Sequence, residues 1–262
     1  MAISPLLTLA CRLAEEAGNE LERRSSDVHA VELKSSATDP VSDADKAAEA
    51  LLVNGLNQER PNDGILGEEG AERRGSSGLR WVLDPLDGTV NYLYGRDEWS
   101  VSVAAEDGQG SVIGAVRDVR AGRTYAAERE NGAWVLGSAS DAPDTWRRLQ
   151  VNEPVVMAQA LVGTGFSYAA ARRAEQGKLA AVLLPQVRDL RRAGSAALDL
   201  CHVAAGLLDG YYEVDLQSWD WAAGALIAGE AGAEITRYEA YGATGLIASG
   251  PSLHEHLVAA VS

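Results

Sequence analysis

A chain of 262 residues is long enough for one large domain or two modest ones around a sizeable core, and its 46% hydrophobic and 23% charged residues are ordinary proportions for a soluble globular protein. The net charge of −15 argues against direct nucleic-acid binding, which needs stripes of Lys and Arg against phosphates, and fits poorly with an anionic membrane surface. It is compatible with a protein that gathers divalent cations, although surface acidity for solubility accounts for most of it.

The opening segment "MAISPLLTLACRLAEEAG" has no basic leader region, and acidic residues interrupt its apolar run early, so neither a signal peptide nor a membrane span is expected. Ser4 followed by Pro5 reads as an N-cap with proline at N1, and Leu6, Ala10, Leu13, Ala14, Ala17 and Leu21 trace a helical stripe. A second helix is expected from about Asp43 to Leu56, burying Ala48, Leu51, Leu52 and Leu56. "GILGEEG" and "RWVLD" read as short apolar strands that end in acids. Residues Trp99 to Val135 read as an antiparallel meander broken by "EDGQG", "RAG" and "ENG" turns. From Ala160 onward strands ("ALVGTG", "VRDL", "GYYEV", "AEIT", "GLIAS") alternate with helices over Tyr168–Leu184, Ser195–Leu208, Asp220–Ala231 and from Ser252. The best internal boundary is Gly137–Val151, which divides one domain into a half over residues 1–150 and a half over residues 151–262. Cys11 and Cys201 lie in apolar helical patterns and read as buried thiols of a reducing cytosol, giving a cytoplasmic expectation.

Five acids end strands or begin helices: Asp45, Glu68, Asp84, Asp87 and Asp220. Oxygen ligands of this kind suit Mg2+. In "WVLDPLDGTVNY" (Trp81–Tyr92), Pro85 is expected to force the chain out of its strand so that Asp84 and Asp87 turn toward one point. Gly88 allows close backbone approach, and the amides of Gly88 and Thr89 can face a phosphate oxygen. Each feature also has a plainer reading. "DPLDGT" suits a tight turn of solvated acids, Asp45 the N3 position of a capping box begun at Ser42, "GEEG" a surface turn, and Asp220 an acid favoured by a helix macrodipole.

Taken together, "WVLDPLDGTVNY" and "WDWAAGALIAGEAG" (Trp219–Gly232) resemble the signature pair of the inositol monophosphatase family of lithium-sensitive, magnesium-dependent phosphatases. "LKSSATDPVSDAD" (Leu33–Asp45), "GEEG" (Gly67–Gly70) and "RRAGSAALDLC" (Arg191–Cys201) support the match, which runs in order along nearly the whole chain. The resemblance implies a mixed α/β fold, a layered αβαβα sandwich of the inositol monophosphatase and fructose-1,6-bisphosphatase type, and a homodimer. It implies two or three Mg2+ ions: the first on Glu68, Asp84 and the Leu86 carbonyl, the second on Asp84, Asp87 and Asp220, and a third on Glu68 with waters. Asp45 and Thr89 resemble the pair that orients and deprotonates the attacking water, and Lys34 a lysine that tunes it. Gly88 and Thr89 correspond to the phosphate-holding amides, and Asp87, Gly194, Ser195, Ala196 and Glu213, with Asp220, to the substrate-binding positions. The departures are small: Ala233 stands for the second glycine of the usual "EAGG", Leu86 for isoleucine and Ser42 for threonine.

The implied reaction is Mg2+-dependent hydrolysis of a small phosphate monoester, foremost inositol 1-phosphate. Val90 and Asn91 offer no cation for a further phosphate, which lowers a nucleotide reading. Glu213 suits sugar-like hydroxyls but equally the ammonium of histidinol phosphate, which is the alternative substrate. A different class stays open, a partner protein of the transcription and ribosome-assembly machinery. Arg191 and Arg192 are read as structural and His254-Glu255-His256 as a solvated helix face. Trp219 and Trp221 are read as packing around Asp220, while Phe166 and Tyr168 are equally suited to loop packing and to a substrate rim.

Overall fold

The computed structural model describes residues 3–25, 31–33 and 40–262. Helix α1 (Pro5–Arg24) begins where Ser4 Oγ accepts from the Leu7 amide at 3.2 Å and buries the stripe Leu7, Ala10, Leu13, Ala14, Ala17 and Leu21. Two short strands, β1 (Val31–Leu33) and β2 (Pro40–Ser42), pair antiparallel. Helix α2 (Asp43–Glu59) then buries Ala44, Ala48, Leu52 and Leu56, with Asp45 and Glu49 on the same buried side. Strands β3 (Gly64–Gly67), β4 (Glu72–Arg73) and β5 (Arg80–Asp87) follow, then the short helix α3 (Thr89–Leu93).

The meander forms as β6 (Ser100–Asp107), β7 (Gly110–Asp118), β8 (Arg123–Glu128) and β9 (Gly132–Leu136), with β10 (Arg147–Arg148) added at its edge. These make an eight-stranded sheet in the order β10-β9-β8-β7-β6-β5-β3-β4. The alternating half supplies β11 (Leu161–Thr164), α4 (Ala170–Leu183), β12 (Asp189–Arg191), α5 (Ala196–Ala204), β13 (Gly210–Val214), α6 (Ser218–Glu230), β14 (Glu234–Ala240), β15 (Ala243–Ser249) and α7 (Pro251–Val261). Its sheet is five-stranded, ordered β12-β11-β13-β15-β14.

The layers follow from two-sided burial of the strands. On the large sheet Trp81, Leu83, Val101, Val103, Ile113 and Ala115 face α1 and α2. Their alternates Val82, Ala104 and Val116 face α5 and α6. On the second sheet Tyr211, Leu246 and Ala248 face that same helical pair, whereas Tyr212, Val214 and Ile247 face α7 and the end of α4. The order helix, sheet, helix, sheet, helix is the expected αβαβα sandwich, and it explains why these strands read as continuous apolar runs. Gly114 shows how closely the middle layer approaches: a Cβ there would lie 2.9 Å from the Ala223 backbone.

Pro85 does not end its strand. Strand β5 continues to Asp87, and its ladder with β6 shifts register between Asp84↔Ser102 and Asp87↔Ser100. Three residues on β5 thus span two on β6, a β-bulge that accommodates the missing proline N–H. In an unbroken strand residues three apart face opposite sides; the extra residue restores both aspartates to one face.

That face is turned to the central helices, where Ser102 Oγ donates to the Trp219 carbonyl at 3.3 Å.

Both cysteines are buried and unpaired, and burial pushes the Cys11 thiol up to about 12. His254 is not solvated as expected. It is buried, with Nδ1 3.0 Å from Ser249 Oγ and Nε2 2.8 Å from Thr236 Oγ1, so α7 is pinned to the edge of the second sheet. Among the described residues no helix is long and apolar enough to cross a membrane.

Candidate active site

A cavity of about 630 Å³ opens where the bulge of β5, the acidic loop after β3 and the N-terminal ends of α5 and α6 converge. Its wall includes Glu68, Asp84, Leu86, Asp87, Gly88 and Thr89, together with Gly194, Ala196, Glu213 and Asp220 from the second half of the chain. Five candidate ligands (Glu68, Asp84, Leu86, Asp87 and Asp220) are therefore brought to one place from segments far apart in sequence. Asp45 and Ser195 are buried behind this wall, and Lys34 lies outside the described residues.

Each acid is held by a local device. Glu68 leaves β3 beside β5, its amide donating to the Leu83 carbonyl at 3.1 Å. Asp84 Oδ1 accepts from the Leu86 amide at 3.0 Å across the bulge. Asp87 Oδ2 accepts from Ser195 Oγ at 2.6 Å and from the Ala197 amide at 2.8 Å, so Ser195, the N-cap of α5, orients Asp87 while also accepting from Leu198 at 3.2 Å. Asp220 sits at N3 of α6 and Oδ2 accepts from the Gln217 amide at 2.6 Å, half of a capping box with Gln217. The plainer expectation for Asp220, a helix-terminal acid, and its convergence on the cavity are both seen.

Gly88 has φ 95° at the start of α3, and a Cβ on it would stand 2.8 Å from the Glu98 carbonyl, so the turn accepts only glycine without strain. Thr89 Oγ1 lies 3.2 Å from Asp45 Oδ1 and 3.1 Å from the Leu86 carbonyl. Its one proton serves a single acceptor at a time.

Burial and mutual repulsion both raise the acids of this cavity, burial the more. Burial first, then the charges of Glu68, Asp87 and Asp220, holds the Asp84 carboxyl well above its usual range. Asp220 is raised in the same way by burial, then by Asp87 and Glu68. Asp87 is pushed up to about 6 by burial, a rise limited by its bonds from Ser195 and Ala197. Among the described residues on the cavity wall, Arg192 is the only cation against Glu68, Asp84, Asp87, Glu213, Asp215 and Asp220. As they stand, no three His, Cys, Asp or Glu among the described residues are gathered tightly enough to grip an ion. The donor set nevertheless fits a hard divalent cation: it is all oxygen, and its self-repulsion is of the kind that positive charge relieves.

Also on the cavity wall, Glu213 is half-buried beside Tyr211, whose hydroxyl donates to Oε2 at 2.6 Å. Burial raises Glu213 to about 7, while the Tyr211 bond and the charge of Arg192 oppose the rise. A Cβ on Gly165 would overlap both carboxylate oxygens of Glu213. Gly165→Ala is expected to displace Glu213 and, on the substrate-binding role that the family resemblance implies for it, to raise KM for the ester about tenfold with kcat little changed, the loss of a ground-state contact costing roughly 1–2 kcal/mol. Steady-state kinetics at saturating cation read this directly.

Several contributors escaped the sequence reading. Asp215, with φ 80°, pairs with Arg172 at 2.7 Å and accepts from Ser167 Oγ at 2.8 Å, tying the rim loop of Phe166–Ala169 to the β13–α6 connection. Arg192 stands on the wall instead of in a structural pair, whereas Arg191 does pair with Asp189, at 2.5 Å. Tyr211 was findable, because residues two apart on β13 share a face with Glu213. Asp215 carried no signal: its partners come from loops joined only in the fold. Trp219 lines the cavity, while the Arg237 guanidinium lies over Trp221, 5.2 Å from the ring centroid.

Residues 2–262 match the sequence profile described as the inositol monophosphatase family. A protein of Mycobacterium leprae named inositol-1-monophosphatase is 46% identical over 260 residues, spanning 96% of this chain and 87% of its own length. The solved structure of Mycobacterium tuberculosis SuhB superposes with a TM-score of 0.83 at 42% identity, over 97% of this chain and 94% of that one. A Vibrio cholerae protein named Nus factor SuhB is 33% identical across 94% of this chain and 89% of its own length. With its layered fold, its carboxylate-lined cavity and a match over almost every residue, this chain belongs to the inositol monophosphatase family.

Proposed function

We propose that this protein is a Mg2+-dependent phosphomonoesterase that hydrolyses inositol 1-phosphate to inositol and phosphate. The observation that carries the reading is the presence, in the lining of one cavity, of the acids Glu68, Asp84, Asp87 and Asp220 together with Glu213. The name of the Mycobacterium leprae relative supports the substrate. We assign Glu68, Asp84 and the Leu86 carbonyl to one ion, Asp84, Asp87 and Asp220 to a second, and Glu68 with waters to a third. When bound, Mg2+ supplies Lewis-acid stabilisation of the phosphoryl oxygens and of the leaving alkoxide.

The chain's own residues supply the rest. The amides of Gly88 and Thr89 hold the phosphate. Asp45, through the Thr89 hydroxyl, orients the attacking water and takes its proton, with Lys34 tuning that pair. The water oxygen bonds to phosphorus in line as the ester P–O bond breaks, and the alkoxide is protonated from solvent. Glu213 accepts from the polyol hydroxyls beside Gly194 and Ala196, and Ser195 acts on the substrate through Asp87. Residues 1–150 serve as the metal and phosphate half of one domain and residues 151–262 as the substrate half. We further propose a cytoplasmic, lithium-sensitive homodimer.

The test is phosphate release from inositol 1-phosphate and from histidinol phosphate, side by side, with and without Mg2+. Preference for the inositol ester supports the reading. Preference for histidinol phosphate, for which the Glu213 carboxyl would meet an ammonium, keeps the metal assignments and replaces the substrate. No release from either defeats both. A role as a transcription partner, suggested by the Vibrio cholerae relative's name, would be favoured instead if Asp87→Asn abolished phosphate release yet rescued a deletion phenotype.

A further inference from the structure

Glu49 lies one helical turn after Asp45 on α2, and both side chains are buried, at 7% and 1% exposure. Residues four apart share a helix face. Asp45 reaches the Thr89 hydroxyl, while Glu49 reaches the acidic loop: its Oε2 accepts from the Glu69 amide and its Oε1 from the Ala71 amide, each at 3.0 Å. These two amides flank Gly70, whose φ of +109° makes the turn. The loop is closed further by the Gly67 amide on the Ala71 carbonyl at 2.7 Å, and Glu68 itself is pinned to Leu83. Gly67 leaves room for the carboxylate, since a Cβ there would overlap Glu49 Oε2.

A carboxylate buried beside another acidic segment is costly unless it accepts charge-assisted bonds, and these two backbone amides are such donors. The turn so formed carries Glu68 and nothing else that enters the cavity.

We propose that Glu49 is the positioning residue for Glu68, holding the 67–71 loop in the shape that presents Glu68 to a divalent cation. This rests on the metal reading given above. Helix α2, anchored by Ala48, Leu52 and Leu56 in the core, then sets both the water-orienting acid and the first cation's ligand from one rigid element.

The test compares the parent protein with Glu49→Gln, which keeps the length but offers one acceptor and turns an amide N–H against a backbone N–H. Mg2+ binding is measured by titration calorimetry, with melting temperature and kinetics alongside. The expected result is a Mg2+ dissociation constant weakened about 10–100-fold, the usual range for losing an outer-shell partner. The Mg2+ requirement for turnover should shift by the same factor, with KM for the ester at saturating Mg2+ unchanged. Gly67→Ala, which keeps the carboxylate but displaces it, should reproduce the loss and decides the matter if Glu49→Gln fails to fold. Parent-like Mg2+ affinity in a folded variant, with only the melting temperature lowered, would overturn the proposal. Absence of Mg2+ binding in the parent would instead sink the metal reading, and this inference with it.

Discussion

Replacing Asp84 with Asn is expected to raise the melting temperature of the cation-free protein while lowering Mg2+-supported phosphate release by about a thousandfold or more, because removing a charged ligand forfeits several kcal/mol of transition-state stabilisation at 1.36 kcal/mol per tenfold. The two effects share one cause. Asp84 is buried and its ionised form is disfavoured by burial and by Glu68, Asp87 and Asp220. Asparagine keeps an oxygen for the Leu86 amide, which Asp84 now serves at 3.0 Å, and brings an N–H₂ to face the remaining acids. Each kcal/mol of repulsion relieved should raise the melting temperature by roughly 2–4 °C. Thermal unfolding in chelator, together with phosphate release in Mg2+, reads both. A melting temperature that falls, with activity retained, would remove Asp84 from the metal site.

Mg2+ itself should stabilise the protein strongly at about pH 8 and much less at about pH 5.5, because protons and cations compete for the same carboxylates. Asp87 shows the sign. Its folded value of about 6 lies above the ordinary 3.8, so the cation-free fold binds this proton more tightly than the unfolded chain does. The stability that protonation supplies is fully present below about pH 4 and is lost as the pH rises through about 6. Asp84 and Asp220 are displaced in the same direction, so the cation-free protein should melt lower at about pH 8 than at about pH 6. Cation binding reverses that loss: at a hundred times its dissociation constant Mg2+ contributes about 2.7 kcal/mol, or roughly 5–10 °C here. Melting curves at the two pH values, with and without Mg2+, test this. An equal Mg2+ shift at both would mean that these carboxylates do not bind the ion.

Much of the fold was legible because periodicity survives in the sequence. The stripe from Leu7 to Leu21, the meander after Trp99 and the alternating second half each announce their elements through apolar spacing. The short strands β4 and β10 were not legible, since two-residue bridges on a sheet edge carry no pattern. The path of β5 was misread at Pro85. Proline usually ends a ladder, and only pairing with β6 on its other side shows that the strand continues through a bulge. His254 was misread for a similar reason: its environment is made by Ser249 and Thr236, on strands whose approach to α7 no local spacing encodes.

For the site, residue order together with the family resemblance was enough to single out the acids Glu68, Asp84, Asp87 and Asp220 that the fold brings to one cavity, and the glycine at Gly88, because left-handed turns select glycine. Why two acids three residues apart share a face was decided only in the folded chain, by the extra residue in the bulge. So was the division of labour among neighbours: Ser195 behind Asp87, Arg192 and Asp215 on the wall, Tyr211 under Glu213, and Glu49 beneath the Glu68 loop. A side chain's identity says what it can bind; burial and the partners that other elements bring to it set its charge, its direction and hence its role.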